Sequence, residues 1–511
     1  MAMVPCIAMV SGRASTDGGD VTDYARRFEA SCARQSEGTE SQTVTTPTVV
    51  KQQEPAAVEA VAPSPPPPPA PSAKELLRSW IVAHVPSGAQ VSEDGPGFAV
   101  QLTTRAGDSL MSVAASSIEA TTAYNEEELA AALRKANPSV SAYPKELLAE
   151  GTQLRLPSVL ALADGAPKSP SEARLGWPAD KSMRGIYVNE TMLKDKEFPR
   201  LLDMVTAHGM NAIVVDAKDV TGWFTYPTKI PLALENDGNR HNVVSSLERL
   251  VRVAHRHGVR VVARVACFRD EHLAPSRKDL AVQNKSGGPH RAPNHLIDWL
   301  DPTNETVQQY LLDAVKESID AGADEIQLDY VRYPTEGVLD AEFHLDDRGL
   351  TSHGVITQFV GRVHELTKAA SVPLSLDVFG CVAWGDRPDV DSTGQDLRAL
   401  GTEVEALSPM VYPSHFGEGF NGYAIPGDHP DIVAIGTRRA LDTLHKAGID
   451  DVVVRPWVQA FPYKSPHFGA PYIAEQIKEG KNGGGIGFLA WNSGGEYGAT
   501  FAATPLTKDK R

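Results

Sequence analysis

The residues most suited to chemistry sit where short apolar runs stop. Glu325-Ile-Gln-Leu runs straight into Asp329-Tyr330-Val-Arg332-Tyr333-Pro, an acid, a base and two aromatic rings within five residues. Leu374-Ser-Leu ends in Asp377-Val-Phe-Gly, with Trp384 shortly after. Similar run ends carry Asp216-Ala-Lys218-Asp219, Arg264, Tyr412-Pro-Ser-His415, Trp457-Val-Gln459 and Trp491-Asn492. Aromatic faces stack on pyranose rings, amides and carboxylates bond to hydroxyls, and two carboxyls across a glycosidic bond supply an acid and a nucleophile or base. Crowding two carboxyls also pushes their pKa values apart, which separates the two roles. Asp329 and Asp377 are the candidate catalytic pair. Asp216, Lys218, Asp219, Arg264, Tyr330, Arg332, Trp384, Tyr412, His415, Trp457, Gln459, Trp491 and Asn492 are the candidate substrate-binding groups. Structural readings stand beside these: any strand-end Asp can cap the next helix or pair with a basic neighbour, Asp216 suits an ion pair with Lys218 or Arg264, and Trp491 suits the core as well as a sugar platform. No metal site is expected, since His415 stands alone and no HxH follows the first run.

For these run ends to meet, the runs must lie parallel. Eight can be read: Arg184–Val188, Asn211–Asp216, Val259–Val265, Asp324–Asp329, Val372–Val378, Val404–Val411, Asp451–Val458 and Gly485–Trp491. Amphipathic helices alternate with them over Phe198–His208, Ser245–His257, Glu305–Ala321, Val355–Ala369, Ile432–Ala447 and Tyr472–Lys481, with a short one at Gln395–Leu400. Several stop at glycine, as in His208-Gly209 and His257-Gly258, where a left-handed cap is needed. This alternation predicts an α/β fold, a (β/α)8 TIM barrel over 183–500, whose functional groups gather at the C-terminal strand ends. A doubly wound sheet would want a glycine-rich phosphate loop after the first strand, and none is there. No helix is evident after the eighth strand.

The 511 residues have room for further units. Residues 1–73 read as a disordered segment rich in Ser, Thr, Gln and Pro, ending in the Pro65–Pro69 tract, a stiff polyproline II spacer. Residues 161–182 read as a polar linker. The formal net charge of −16 excludes the basic surface that nucleic-acid binding requires and favours neutral or cationic polymers as partners. The four cysteines, Cys6, Cys32, Cys267 and Cys381, contain no CxxC pair, so neither a zinc site nor a disulfide framework is expected, and Cys267 and Cys381 read as buried thiols. No apolar run approaches the ~20 residues of a membrane helix. Met1–Gly12 lacks a basic start and gives no clear signal peptide, so the expected location, cell envelope or secreted, rests on the other features.

Residues 74–160 form a small unit. Phe98–Leu102 alternates as a strand, Asp108 or Ser109 caps a helix carrying Leu110, Val113 and Ala114, Glu126–Lys135 is a second helix stopped by Asn137-Pro138, and Gly151–Pro157 returns as a strand. With Ala106-Gly-Asp-Ser-Leu110 before the first helix and Gly151-Thr-Gln-Leu-Arg-Leu-Pro157 at the end, this order resembles a LysM module. The resemblance implies a βααβ fold that binds N-acetylglucosamine polymers, peptidoglycan or chitin-like glycan. Ser117–Asn125 is longer than the usual inter-helix turn.

Across the large unit, Gly185-Ile-Tyr, Val215-Asp-Ala-Lys-Asp, Phe268-Arg-Asp, Gln327-Leu-Asp-Tyr-Val-Arg-Tyr-Pro, Asp377-Val-Phe-Gly, Ser408-Pro-Met-Val-Tyr-Pro-Ser-His-Phe and Arg455-Pro-Trp resemble a bacterial glycoside hydrolase domain family formerly of unknown function. The resemblance spans roughly Met183 to Asn492 and implies a barrel related to the α-amylase-like hydrolases. By that layout Asp329 would be the nucleophile and Asp377 the general acid/base, an Asp where the amylases carry Glu. The expectation is a retaining glycosidase acting on a cell-envelope or extracellular polysaccharide, needing no cofactor and held at the wall by the LysM-like unit. Two other readings stand beside it: a non-catalytic carbohydrate-binding envelope protein, and a metal-assisted hydrolase using Asp216, Asp219 and His415.

Overall fold

The computed structural model describes residues 71–504, apart from 141–142, 163–168, 195–196, 293–294, 336–340, 344 and 346–347. The expected N-terminal disorder, the proline tract, Cys6 and Cys32 lie outside the described residues.

The small unit opens with α1 (Ala73–Ala83), which the sequence reading did not separate out. Ser72 caps it with Glu75 in a reciprocal capping box. The antiparallel sheet β1–β2–β3 (Gln90–Asp94, Gly97–Thr103, Gln153–Leu156) carries α2 (Leu110–Ser117) and α3 (Glu126–Ala136). Ser109 does cap α2, and Asn125 caps α3. β2-α2-α3-β3 is thus the βααβ order predicted, enlarged by one helix and one edge strand. Its core joins Leu77 and Ile81 of α1 to Val100, Leu102, Leu110, Leu129, Leu133 and Leu154.

The large unit is a closed parallel barrel. Its strands are β4 (Arg184–Val188), β5 (Ala212–Lys218), β6 (Arg260–Ala266), β7 (Glu325–Asp329), β8 (Leu374–Phe379), β9 (Ala406–Met410), β10 (Val453–Val454), β11 (Trp457–Gln459) and β12 (Phe488–Trp491). β10 and β11 are two halves of one strand, broken at Arg455-Pro456. One half pairs with β9 and the other with β12, so the split strand closes the ring. Pro456 cannot donate to the ladder, but its carbonyl accepts from Leu489 N at 3.1 Å and keeps the seam joined. Eight strand positions in sequence order make the (β/α)8 barrel that the alternation predicted.

Around it run α4 (Glu190–Lys194), α5 (Phe198–Ala207), α6 (Leu247–Arg256), α7 (Glu305–Asp320), α8 (Ser352–Ala369), α9 (Leu397–Leu400), α10 (Asp431–Lys446), α11 (Ala470–Asn482) and α12 (Gly498–Ala503). The last corrects the expectation of no helix after the eighth strand: its Phe501 packs at the edge of the core that holds Phe198 and Leu202. Gly209 and Gly258 take positive φ at the stops of α5 and α6, as their sequence positions implied.

Part of the expected linker is built into the barrel floor. Trp177 Nε1 donates to Glu325 Oε2 at 2.6 Å, and Glu325 is ion-paired to Arg455 with both side chains fully buried. Leu175 and Gly176 amides bond to Asp324. The N-terminal end of the barrel is therefore filled, and chemistry is left to the other end.

Candidate active site

Three aspartates converge on one guanidinium at the C-terminal strand ends. Arg264, near the end of β6, ion-pairs with Asp216 of β5 and Asp329 of β7. Its Nη2 lies 2.5 Å and its Nε 3.1 Å from Asp329 Oδ2, and the same Nε is 3.9 Å from Asp377 Oδ2 on β8. Strand register puts them there: Asp216 pairs with Arg264 across β5–β6, and the β7–β8 pairing of Leu328 with Leu376 sets Asp329 beside Asp377. The other carboxylate oxygen of Asp329 accepts from the Tyr330 amide at 2.6 Å. Tyr330 has φ +50°, a left-handed conformation rare for a bulky residue, and this strained turn at the strand end fixes the Asp329 carboxylate.

The acids differ in surroundings. Asp377 is 1 % exposed and accepts a 2.7 Å bond from Trp457 Nε1. Burial, reinforced by the Asp329 charge, pushes its carboxyl well above the ordinary range, against the opposing pull of Arg264 and the Trp457 bond. Asp216 accepts from Tyr187 OH at 2.6 Å as well as from Arg264. Asp219 is held by Thr221 Oγ1 at 2.6 Å and by two backbone amides, yet burial raises it to about 6. Tyr187 stacks on Trp491 with centroids 4.2 Å apart, and Arg264 lies over both rings. The cation is thus walled by aromatic faces as well as by carboxylates.

A cavity of about 880 Å³ opens beside this cluster, and Asp216, Asp219, Arg264 and Trp491 all line it. Its other wall includes residues that sequence reasoning missed: Tyr187, Glu190, Trp223 and His241. Trp223 packs against His272 and His241 at centroid distances of 4.0 and 4.6 Å. The run-end rule would have reached Tyr187 and Glu190 had it been applied to the first strand. Trp223 lies in the loop after β5, where a lone tryptophan close behind two acids was the available signal.

Several expected binding residues are placed elsewhere. Lys218 is fully buried in an ion pair with Asp270 at 3.0 Å, beneath the Tyr310 ring of α7. A bulge between Asp216 and Lys218 breaks the strand alternation and turns it out of the barrel. Arg332 donates to the Tyr333 carbonyl and lies over the Trp299, Phe379 and Tyr330 rings. Trp384 joins Phe416 and Phe420 under Arg439. Gln459 bridges Phe461, Tyr463 and Ser465 and accepts from the Ser414 amide, while Asn492 closes its own loop through the Ala460 and Glu496 carbonyls. Tyr412 and His415 sit with Phe461 away from the cavity lining, and burial, with Lys464 nearby, lowers the His415 pKa to about 4. Trp457 is in contact with the acids through Asp377. Among the described residues no three His, Cys, Asp or Glu side chains gather as a metal site, and Cys267 and Cys381 are buried free thiols.

A closed (β/α)8 barrel with strand-end carboxyls around a buried arginine and an aromatic-walled cavity has the architecture of a barrel hydrolase. The chain belongs to the family described as "Putative glycosyl hydrolase domain", whose model matches residues 185–497. Among solved structures, a hypothetical protein from Ruminiclostridium thermocellum is 30% identical over 38% of this chain and 97% of that one, with TM-score 0.34. The PgaB (BpsB) glycoside hydrolase domain from Bordetella bronchiseptica is 12% identical over 64% of this chain and 99% of that one, with TM-score 0.47. A class V chitinase from Pseudomonas fluorescens is 13% identical over 63% and 98%, with TM-score 0.39. No curated protein matches the sequence.

Proposed function

We propose that this glycoside hydrolase cleaves a polysaccharide of the cell envelope or extracellular matrix with retention of anomeric configuration. Asp329 is the nucleophile and Asp377 the proton donor. The observation that carries the reading is the placement of both carboxyls on one Arg264 nitrogen in unlike surroundings. Arg264 and the Tyr330 amide bond to the two oxygens of Asp329 at the strand end, while burial favours the protonated form of Asp377. Laid end to end, the 3.1 and 3.9 Å contacts accommodate the ~5–5.5 Å separation of retaining enzymes and reach only the lower edge of the ~6.5–9.5 Å inverting range. Arg264 also limits the cost of bringing a third carboxylate, Asp216, to the site.

Attack of Asp329 on the anomeric carbon displaces the leaving oxygen, which takes the Asp377 proton. Asp377, now a base, removes a proton from water, whose oxygen attacks the glycosyl–Asp329 ester and releases the sugar. Trp491 and Trp223 offer aromatic faces in the cavity for the flanking sugar rings. A second assignment draws on Asp219, which lines the cavity, whereas Asp329 and Asp377 are buried next to Arg264 and outside the lining: there Asp219, raised to about 6, gives the proton and Asp377 tunes Asp329.

The βααβ unit binds amino-sugar polymer and holds the barrel at it. Tyr143 and Leu147, 70 and 69 % exposed, stand in the α3–β3 segment, next to the turn before α2 through the Met111–Pro144 and Leu148–Asp108 backbone bonds. Such exposed apolar groups are the kind a sugar face covers. Proton NMR of the first anomer released from peptidoglycan or a glucosamine polymer tests the mechanism: the substrate's own anomer is expected, and the opposite one would overturn retention.

A further inference from the structure

The small unit reaches into the barrel at a point that matters for the cavity. Tyr124, between α2 and α3, is 6 % exposed and belongs to the barrel's hydrophobic cluster with Ile186, Val188, Leu193 and Phe198. Its OH donates to the Leu193 carbonyl at 2.6 Å, and its ring meets Phe198 at a centroid distance of 4.9 Å. Leu193 lies on α4, whose residues Glu190, Thr191 and Leu193 line the cavity. At its other end the same segment is tied by Asn189, which accepts from the Met192 amide and donates to the Ser493 carbonyl. One wall of the cavity thus hangs between the eighth-strand loop and a tyrosine from a different unit.

The docking of that tyrosine is specific. Arg249 of α6, 2 % exposed, donates Nε to the Tyr124 carbonyl and Nη1 to the Ile118 carbonyl, both at 3.0 Å. Glu119 ion-pairs with Arg249 and Arg252, and Trp80 Nε1 donates to the Glu119 carbonyl. Undocking would break both carbonyl bonds and the Glu119 ion pair of this one guanidinium together, so the contact is a built interface. A module on a swinging tether would have no use for it.

We infer that the βααβ unit is a fixed part of the active-site wall, and that Tyr124 and Arg249 are positioning residues acting through Leu193 on the α4 segment that carries Glu190. Polymer bound by the unit would therefore meet the cavity at one set angle. The inference rests on the cavity being the substrate site, as proposed above.

The test uses the full chain with Tyr124→Phe, which removes only the hydroxyl, and Glu119→Gln, which loosens both arginines without touching the barrel. Hydrogen exchange followed by mass spectrometry reads the Met192 and Leu193 amides. We expect about tenfold faster exchange there in Tyr124→Phe, with β5 and β6 amides unchanged, since only local opening is affected. On a polysaccharide that the wild-type chain degrades, KM rises with kcat within about twofold, a split that general destabilisation would not give. Unchanged exchange at Met192 and Leu193 in both variants overturns the inference, as does acceleration spread evenly through the barrel. Absence of turnover by the wild-type chain would count against the hydrolase mechanism and leave the exchange result to decide this point by itself.

Discussion

Replacing Arg264 with methionine removes the cation while keeping much of the side-chain volume. Arg264, Asp216 and Asp329 side chains are 5, 11 and 9 % exposed, so little solvent screening softens the loss. Breaking a buried pair by deleting one partner costs about 3–5 kcal/mol, because the remaining charge is buried without compensation. Here two carboxylates lose their partner together, and Tyr187 and Trp491 lose the cation over their rings, which places the expected cost at the upper part of that range. At roughly 2 °C per kcal/mol for a domain of this size, the melting temperature falls by about 8–10 °C. Arg264→Lys keeps the charge but not the fork and loses about half as much. Combining Arg264→Met with Asp216→Asn recovers part of the loss, a coupling of about 1–3 kcal/mol, because one stranded charge is gone. Differential scanning calorimetry of the wild type, Arg264→Met, Arg264→Lys, Asp216→Asn and the double variant measures all of this. A melting temperature for Arg264→Met within 2 °C of the wild type, or a double variant that is simply additive, would refute the idea that this arginine neutralises the acid cluster.

Asp377→Asn keeps the Trp457 contact through its carbonyl oxygen and should reduce kcat about 10²–10⁴-fold, the range for loss of a general acid. Because burial raises the folded pKa of Asp377 above the unfolded 3.8, its protonated form adds stability that is complete below pH 3.8 and is lost as pH rises through the folded value. Wild type should therefore lose ground to Asp377→Asn as pH rises above about 4 in urea titrations, and a gap that is constant or widens in favour of the wild type would contradict this. Gly222, at φ +89°, leaves no room for a Cβ against the buried Asp270 carboxylate, so Gly222→Ala should cost about 1–3 kcal/mol in the same assay, whereas a neutral result would mean that the loop can shift. His415→Gln, set among aromatic rings away from the acids, should leave kcat/KM within about threefold, and EDTA should leave it unchanged. A large fall in either would revive the metal-assisted reading.

The barrel was legible because parallel strands buried on both faces read as continuous apolar runs, and their ends stand out as the first polar residues. That rule found Asp216, Arg264, Asp329, Asp377 and Trp491, which the structure brings together. It failed where backbone geometry departs from strict alternation. The bulge after Asp216 sent Lys218 outward, and the left-handed Tyr330 ended the alternation before Arg332 could be aimed by it. Gln459 and Asn492 look like sugar ligands by type, but loop carbonyls and amides claimed them. Trp177 was invisible as a barrel residue because its partner Glu325 lies far along the chain, at the opposite end of β7 from Asp329. Tyr124 was hidden for the same reason: nothing local distinguishes a tyrosine that serves its own unit from one that serves the next.

The mechanism depends on Asp329 as the group that attacks the glycosidic carbon. Asp329→Asn keeps the shape of the side chain and a hydrogen-bonding oxygen. Reducing ends released from peptidoglycan and glucosamine polymers by wild type and variant, at matched folded concentration, measure its contribution. Release by the wild type and a loss of at least about 10³-fold in the variant are predicted, and equal release by both proteins would contradict the mechanism.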